Sequence, residues 1–204
     1  MVRATRFRAG LLLTPGAGSS ADHPGLLEIE RAVNEVSPFV RVVRMDFPYR
    51  LAGRRAPDRA PVLVAAVRTA IAELRENLPA DAPIVAGGRS MGGRMCSMAV
   101  AEGEQIAGLV CMSYPLHPPG RPDKLRIAHL PMIGVPSLFV SGTKDTFGTP
   151  DELREHLAVV PGPLELQLLD GVGHDLKRCE TKVAGMVVGW LATVYKSTDG
   201  GSGT

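Results

Sequence analysis

The chain has 204 residues, 45% of them hydrophobic and 22% charged, with a formal net charge of +2. That length admits one domain with a substantial core, and the near-neutral balance excludes the electrostatic footprint of a nucleic-acid binder or a membrane-surface patch. No apolar run approaches the length of a membrane span.

The first strand is expected over 7–13. Its apolar run is closed by Thr14-Pro15-Gly16 after a few residues, which suits a strand and not a signal peptide. Helical spacing follows over 26–36, with Leu26, Leu27, Ala32 and Val33 inward, and a second strand over 40–47. Residues 60–77 read as a long amphipathic helix with Val64, Val67, Ile71 and Leu74 on one face. A third strand over 84–88 runs into glycines, and a helix pattern resumes over 93–102. Further strands fall at 106–113, 136–141 and 164–169. A helix over 150–159 carries Pro150 in its first turn and Asp151 and Glu152 at its positive end. A closing helix spans 181–195, and the Gly/Ser/Thr-rich stretch 197–204 reads as a flexible tail. Continuous apolar strands separated by helices predict a doubly wound α/β fold, one domain over 1–196 with a mostly parallel six-stranded sheet. In such a sheet, ligands bind outside the carboxyl ends of the strands.

Three cysteines, Cys96, Cys111 and Cys179, are odd in number and lack metal-ligand spacing. They form no disulfide framework and fit a reducing, cytoplasmic setting. No metal and no organic cofactor is expected.

The densest signal is Gly88-Arg89-Ser90-Met91-Gly92, a Gly-x-Ser-x-Gly between a strand and a helix. That arrangement is a nucleophile elbow, which holds a serine hydroxyl above the sheet in a strained turn. The five residues alone fit a glycine-rich turn with an idle serine as well, so the rest of the chain decides. Asp145 follows the fifth strand and His174 the sixth, so Ser90, Asp145 and His174 fall at strand ends in the order Ser, Asp, His. A histidine can take the serine proton and return it to a leaving group, and a carboxylate fixes the imidazole tautomer. Asp151, Asp170 and Asp175 are rival carboxylates, and His117, His129 and His156 rival bases, none of which follows the last strand. A zinc site from His174 and Cys179 lacks further spaced ligands.

Acyl transfer also needs an oxyanion hole. The N–H of Met91 is one expected donor. The loop after the first strand supplies the second, Ala17 first and Gly16 next, because Pro15 has no N–H. Arg89, Tyr114 and Phe147 are candidate substrate contacts. The same loop offers a competing reading, since Gly16-Ala-Gly18-Ser-Ser-Ala21 fits a dinucleotide fingerprint, with Asp46 as a ribose partner. In that fingerprint the glycines open directly into a helix, whereas here Asp22-His23-Pro24-Gly25 intervenes.

With these residues in place the chain resembles the α/β-hydrolase superfamily over nearly its whole length. More narrowly it looks like a small dienelactone-hydrolase-related group that includes the animal testis-expressed and NSL-complex subunit 3-like proteins. Pro15-Gly-Ala-Gly18, the elbow, Tyr114-Pro-Leu-His-Pro-Pro119 and Gly142-Thr-Lys-Asp-Thr-Phe-Gly-Thr-Pro150 carry the likeness. The resemblance implies Ser90, Asp145 and His174 as triad, Met91 and Ala17 as oxyanion donors, and hydrolysis of a carboxylic ester or thioester. Dienelactone hydrolases proper use a cysteine nucleophile, so their substrate does not transfer to a chain with Ser90. Some members of the group act as complex subunits, which keeps a non-catalytic interaction module as the alternative function. The connection between the strands at 106–113 and 136–141 has room for a loop but not a helical lid. An open site favours a small-molecule ester or thioester. Arg50, Arg54, Arg55, Arg59, Arg121, Lys124 and Arg126 form either a solvated basic surface or a field that attracts an anionic substrate.

Overall fold

The computed structural model describes residues 7–199. Its six strands are β1 (Ala9–Thr14), β2 (Val40–Arg44), β3 (Ile84–Arg89), β4 (Gly108–Met112), β5 (Ser137–Gly142) and β6 (Leu164–Leu169). They form one sheet in the order β2-β1-β3-β4-β5-β6, and every pairing is parallel. The expected sheet was mostly parallel; the observed one is wholly so.

Side-chain alternation along each strand splits the core in two. Leu12, Ala86, Cys111 and Phe139 face one layer, covered by α3 (Ala60–Glu76), α4 (Met91–Ala101) and α5 (Pro150–Leu157). Leu11, Leu13, Val85, Val110, Leu138 and Val140 face the other, covered by α1 (Pro24–Val36) and α6 (Glu180–Asp199). β1, β4 and β5 are buried along their whole length, which is why their sequences run apolar without alternation. Each fully buried leucine here contributes about 1.5–3 kcal/mol.

Several boundaries differ from the sequence expectation. β2 stops at Arg44, three residues early, because Pro48 opens a short helix, α2 (Pro48–Leu51), that the sequence pattern did not announce. α4 begins directly after Ser90 and includes Gly92 and Gly93. α6 continues to Asp199, into the stretch read as a tail, while 200–204 lie outside the described residues. Between β4 and β5 the helical content is one 3-10 turn, Leu130–Met132, so no helical lid covers the strand ends. Among the described residues no helix is long and apolar enough to cross a membrane.

The strand order reverses at β1, whose neighbours are β2 on one side and β3 on the other. A crevice opens at such a switch point outside the carboxyl ends of the strands. Glycine makes the crevice possible, because α4 lies directly on β1 and β3. A Cβ on Gly88 would overlap Thr14 Oγ1 and the Thr14 carbonyl, and one on Gly93 would sit 2.6 Å from the Gly88 carbonyl oxygen. Gly88→Ala should therefore destabilise the fold by about 2 kcal/mol or more, since backbone has to shift to admit the methyl. Urea unfolding with an unchanged m-value would show it.

Candidate active site

Ser90 caps α4 with φ 51° and ψ −117°. A non-glycine residue held at positive φ stores on the order of 1–3 kcal/mol, and such strain persists where the surroundings fix it. The surroundings here are the Ser90 N–H on the Met112 carbonyl (2.8 Å) and the Ser90 carbonyl accepting from Arg94 N (3.1 Å).

The loops after β5 and β6 bring the other two residues to it. His174 Nε2 lies 2.8 Å from Ser90 Oγ, and His174 Nδ1 lies 2.8 and 2.9 Å from the two Asp145 carboxylate oxygens. The Asp145 carboxylate only accepts, so Nδ1 carries the proton and Nε2 is left to accept from the serine hydroxyl. Asp145 is buried and held by the Phe147 N–H (2.8 Å) and the Ser141 hydroxyl (3.4 Å). The Phe147 ring stacks on the imidazole with centroids 3.9 Å apart. The array can therefore pass a proton from Ser90 to His174 while the resulting imidazolium faces a fixed, desolvated carboxylate.

The rival residues are engaged elsewhere. Asp170 accepts from Thr143, Asp175 from the Lys177 N–H, and Asp151 pairs with Arg154. His117 sits on the Pro118 carbonyl near Glu152, and His156 lies half-exposed within α5. Asp46 accepts the Ala21 N–H at 2.9 Å and so fastens the loop after β1, the job sequence reading had offered to a ribose. α1 starts only at Pro24, so the glycines of that loop do not open into a helix. Among the described residues no group of three or more metal-ligating side chains gathers. Cys96 and Cys111 are fully buried, and desolvation pushes the Cys96 thiol up to about 12 and Cys111 well above the usual range. Both are inert as nucleophiles.

A cavity of about 520 Å³ opens beside Ser90, with Ala17, Met91, Phe147 and His174 on its wall. Met91 is the first residue of α4, so its N–H has no intrahelical acceptor. Gly16 packs close behind, where a Cβ would lie 3.5 Å from Ser90 Cβ. Of the three candidate substrate contacts, Phe147 and Arg89 reach the cavity wall and Tyr114 does not. Tyr114 is buried, its ring edge-on to Phe139 and its hydroxyl donating to the Arg126 carbonyl at 2.7 Å. Arg89 donates to the His174 carbonyl at 3.3 Å, tying the elbow to the histidine loop. Burial draws its guanidinium pKa below the usual range, against the opposing pull of Asp175 and Asp145.

Sequence reading missed most of the far wall. Asp58 comes from the loop just before α3, Ala60 and Leu63 from its start, and Arg94 and Met95 from α4. Arg94 carried a usable signal: it stands four residues after Ser90 and so on the same helical face. Below this wall lies His129, whose Nε2 is 2.8 Å from Ser97 Oγ and 3.4 Å from the Tyr114 hydroxyl. Ser97 donates its proton to the Arg94 carbonyl, so His129 Nε2 carries the hydrogen of that contact. Burial, then the Arg94 charge, lower the His129 pKa from 6.5 to about 4. A depressed histidine pKa adds stability that is fully present above about pH 6.5 and is lost as pH falls towards 4, because the unfolded chain binds the proton first. His129→Gln should flatten the fall in melting temperature across that window, measured against the parent in matched buffers.

Residues 7–186 match the protein family described as Alpha/beta hydrolase domain. Solved structures share the fold at low identity. An alpha-beta serine hydrolase homologue from Coxiella burnetii superposes with a TM-score of 0.75 at 14% identity, covering 93% of this chain and 88% of that one. Est1E from Butyrivibrio proteoclasticus, with ferulic acid bound, gives 0.77 at 14% identity, covering 96% and 92%. Dienelactone hydrolase from Anabaena variabilis gives 0.73 at 19% identity, covering 92% and 87%.

Proposed function

Because the chain belongs to the Alpha/beta hydrolase domain family, we propose that it is a serine hydrolase that cleaves a carboxylic ester or thioester through an acyl-enzyme on Ser90. The observation that carries the reading is the continuous hydrogen-bonded array Ser90–His174–Asp145, at 2.8 Å and 2.8 Å, opening onto a cavity. In the first step Ser90 Oγ bonds to the acyl carbon as its proton moves to His174 Nε2. The carbonyl oxygen takes up the electron pair beside the Met91 and Ala17 N–H groups. Such donors contribute roughly 3–4 kcal/mol each to acyl transfer where one has been removed. Collapse of the tetrahedral species expels the alcohol or thiol, which leaves with the proton from His174. Water then attacks the acyl carbon as its proton moves to the same nitrogen, and collapse of the second tetrahedral species releases the acid while His174 returns that proton to Ser90 Oγ.

The absence of a helical lid and the cavity of about 520 Å³ favour small or extended acyl groups over long buried lipids. The narrower likeness to the dienelactone-hydrolase-related group agrees with a compact single-domain esterase, with serine replacing cysteine as nucleophile. A panel of p-nitrophenyl esters and acyl thioesters of increasing chain length tests this. Turnover should peak at short acyl chains and vanish in Ser90→Ala. Turnover confined to long-chain triglycerides would contradict it.

A further inference from the structure

The cavity wall carries three guanidinium groups, Arg89, Arg94 and Arg126, and a single carboxylate, Asp58. Asp58 is already bridged by both Arg54 nitrogens at 2.7 and 3.0 Å. Arg89 donates to the His174 carbonyl and feels the charges of Asp175 and Asp145, although its Nε is buried without a partner. Arg94 and Arg126 form no ion pair among the described residues, and the charge felt most by Arg126 is that of Arg94. Arg94 Nε is buried without a hydrogen-bond partner. Arg126 Nη1 reaches only the Pro115 carbonyl, at 3.5 Å. The two groups repel each other closely enough that, after burial, Arg94 is the main cause lowering the Arg126 pKa.

Two uncompensated cations sharing a half-buried wall are costly unless an anion completes them. Both side chains are half-buried and line the cavity. We infer that Arg94 and Arg126 form an anion subsite that holds a carboxylate or phosphate group of the substrate while its carbonyl lies at Ser90. Guanidinium forks suit both groups through paired N–H donors. Arg94 stands one helical turn from Ser90, about 6 Å along the axis, so the anionic group and the scissile carbonyl are joined by a short spacer. The inference rests on the hydrolase reading for its kinetics but not for its binding.

Matched substrate pairs read it out. One pair is p-nitrophenyl hydrogen glutarate and its neutral methyl ester; the other is S-acetylphosphopantetheine and S-acetylpantetheine. The wild type should favour at least one anionic member by about 10- to 100-fold in kcat/KM, and the pair that responds identifies carboxylate or phosphate. Arg94→Met and Arg126→Met should each reduce that ratio about tenfold or more, and Arg94→Lys should restore part of it. Binding is measured separately on Ser90→Ala, by thermal shift with monomethyl glutarate and with inorganic phosphate against chloride at equal ionic strength. The shift should disappear when either arginine is also replaced by methionine. Turnover of neutral esters with no anionic preference and no binding would overturn the subsite and leave the hydrolase intact. Anion binding lost in the arginine variants, with no Ser90-dependent turnover at all, would support the subsite and sink the hydrolase reading.

Discussion

Ser90→Ala should lower kcat for the best ester by about four orders of magnitude or more, because the nucleophile and its base act as a unit. KM should change little, since the cavity wall is otherwise intact. The same position predicts an opposite effect on stability. The serine is held at φ 51° and ψ −117°, a conformation open to glycine and strained for any residue with a Cβ. Ser90→Gly should be as inactive as Ser90→Ala, yet more stable than it by about 1–2 kcal/mol. A site whose strain serves function gives this pairing of lost activity and gained stability. An inert turn gives the stability change alone, with no activity to lose. Thermal melts and initial rates on the three proteins separate the cases.

Asp145→Asn should cost about 10⁴ in kcat while leaving the fold in place. The substitution keeps size and shape within a pocket closed by Phe147 and Ser141. An amide, however, can offer its NH₂ to His174 Nδ1. That contact stabilises the tautomer with hydrogen on Nε2, which can no longer accept from Ser90. The loss should fall on kcat far more than on KM, and circular dichroism should match the parent. A decrease of less than about tenfold would mean that Asp145 does not act through His174. Asp175 is the informative comparison. It is exposed and hydrogen-bonded to the Lys177 N–H, so Asp175→Asn should leave turnover within a factor of about two, as surface substitutions usually do.

What the sequence disclosed follows the physics of burial. β1, β4 and β5 are covered on both faces, so their apolar runs were legible as parallel strands. Ser90, Asp145 and His174 could be located because a parallel sheet gathers its strand ends at one edge, and their order in the chain followed. Tyr114 departs from its expectation as a substrate contact for a related reason. It follows β4 closely, but its ring turns inward onto Phe139. The wall formed by Asp58, Leu63 and Met95 was invisible because it depends on how α3 approaches α4, a tertiary relation with no periodic trace. α2 spans only Pro48–Leu51, too short for a 3.6-residue pattern to register. Asp46 shows the converse: a residue that satisfied the dinucleotide motif by position serves to fasten a loop through the Ala21 N–H.

The most direct test of the account is intact-mass analysis after incubation with a fluorophosphonate, with Ser90→Ala alongside. One adduct is expected on the wild type, located by peptide mapping to Ser90, and none on the variant. A folded wild type that takes up no adduct, or an adduct that persists on Ser90→Ala, would contradict it.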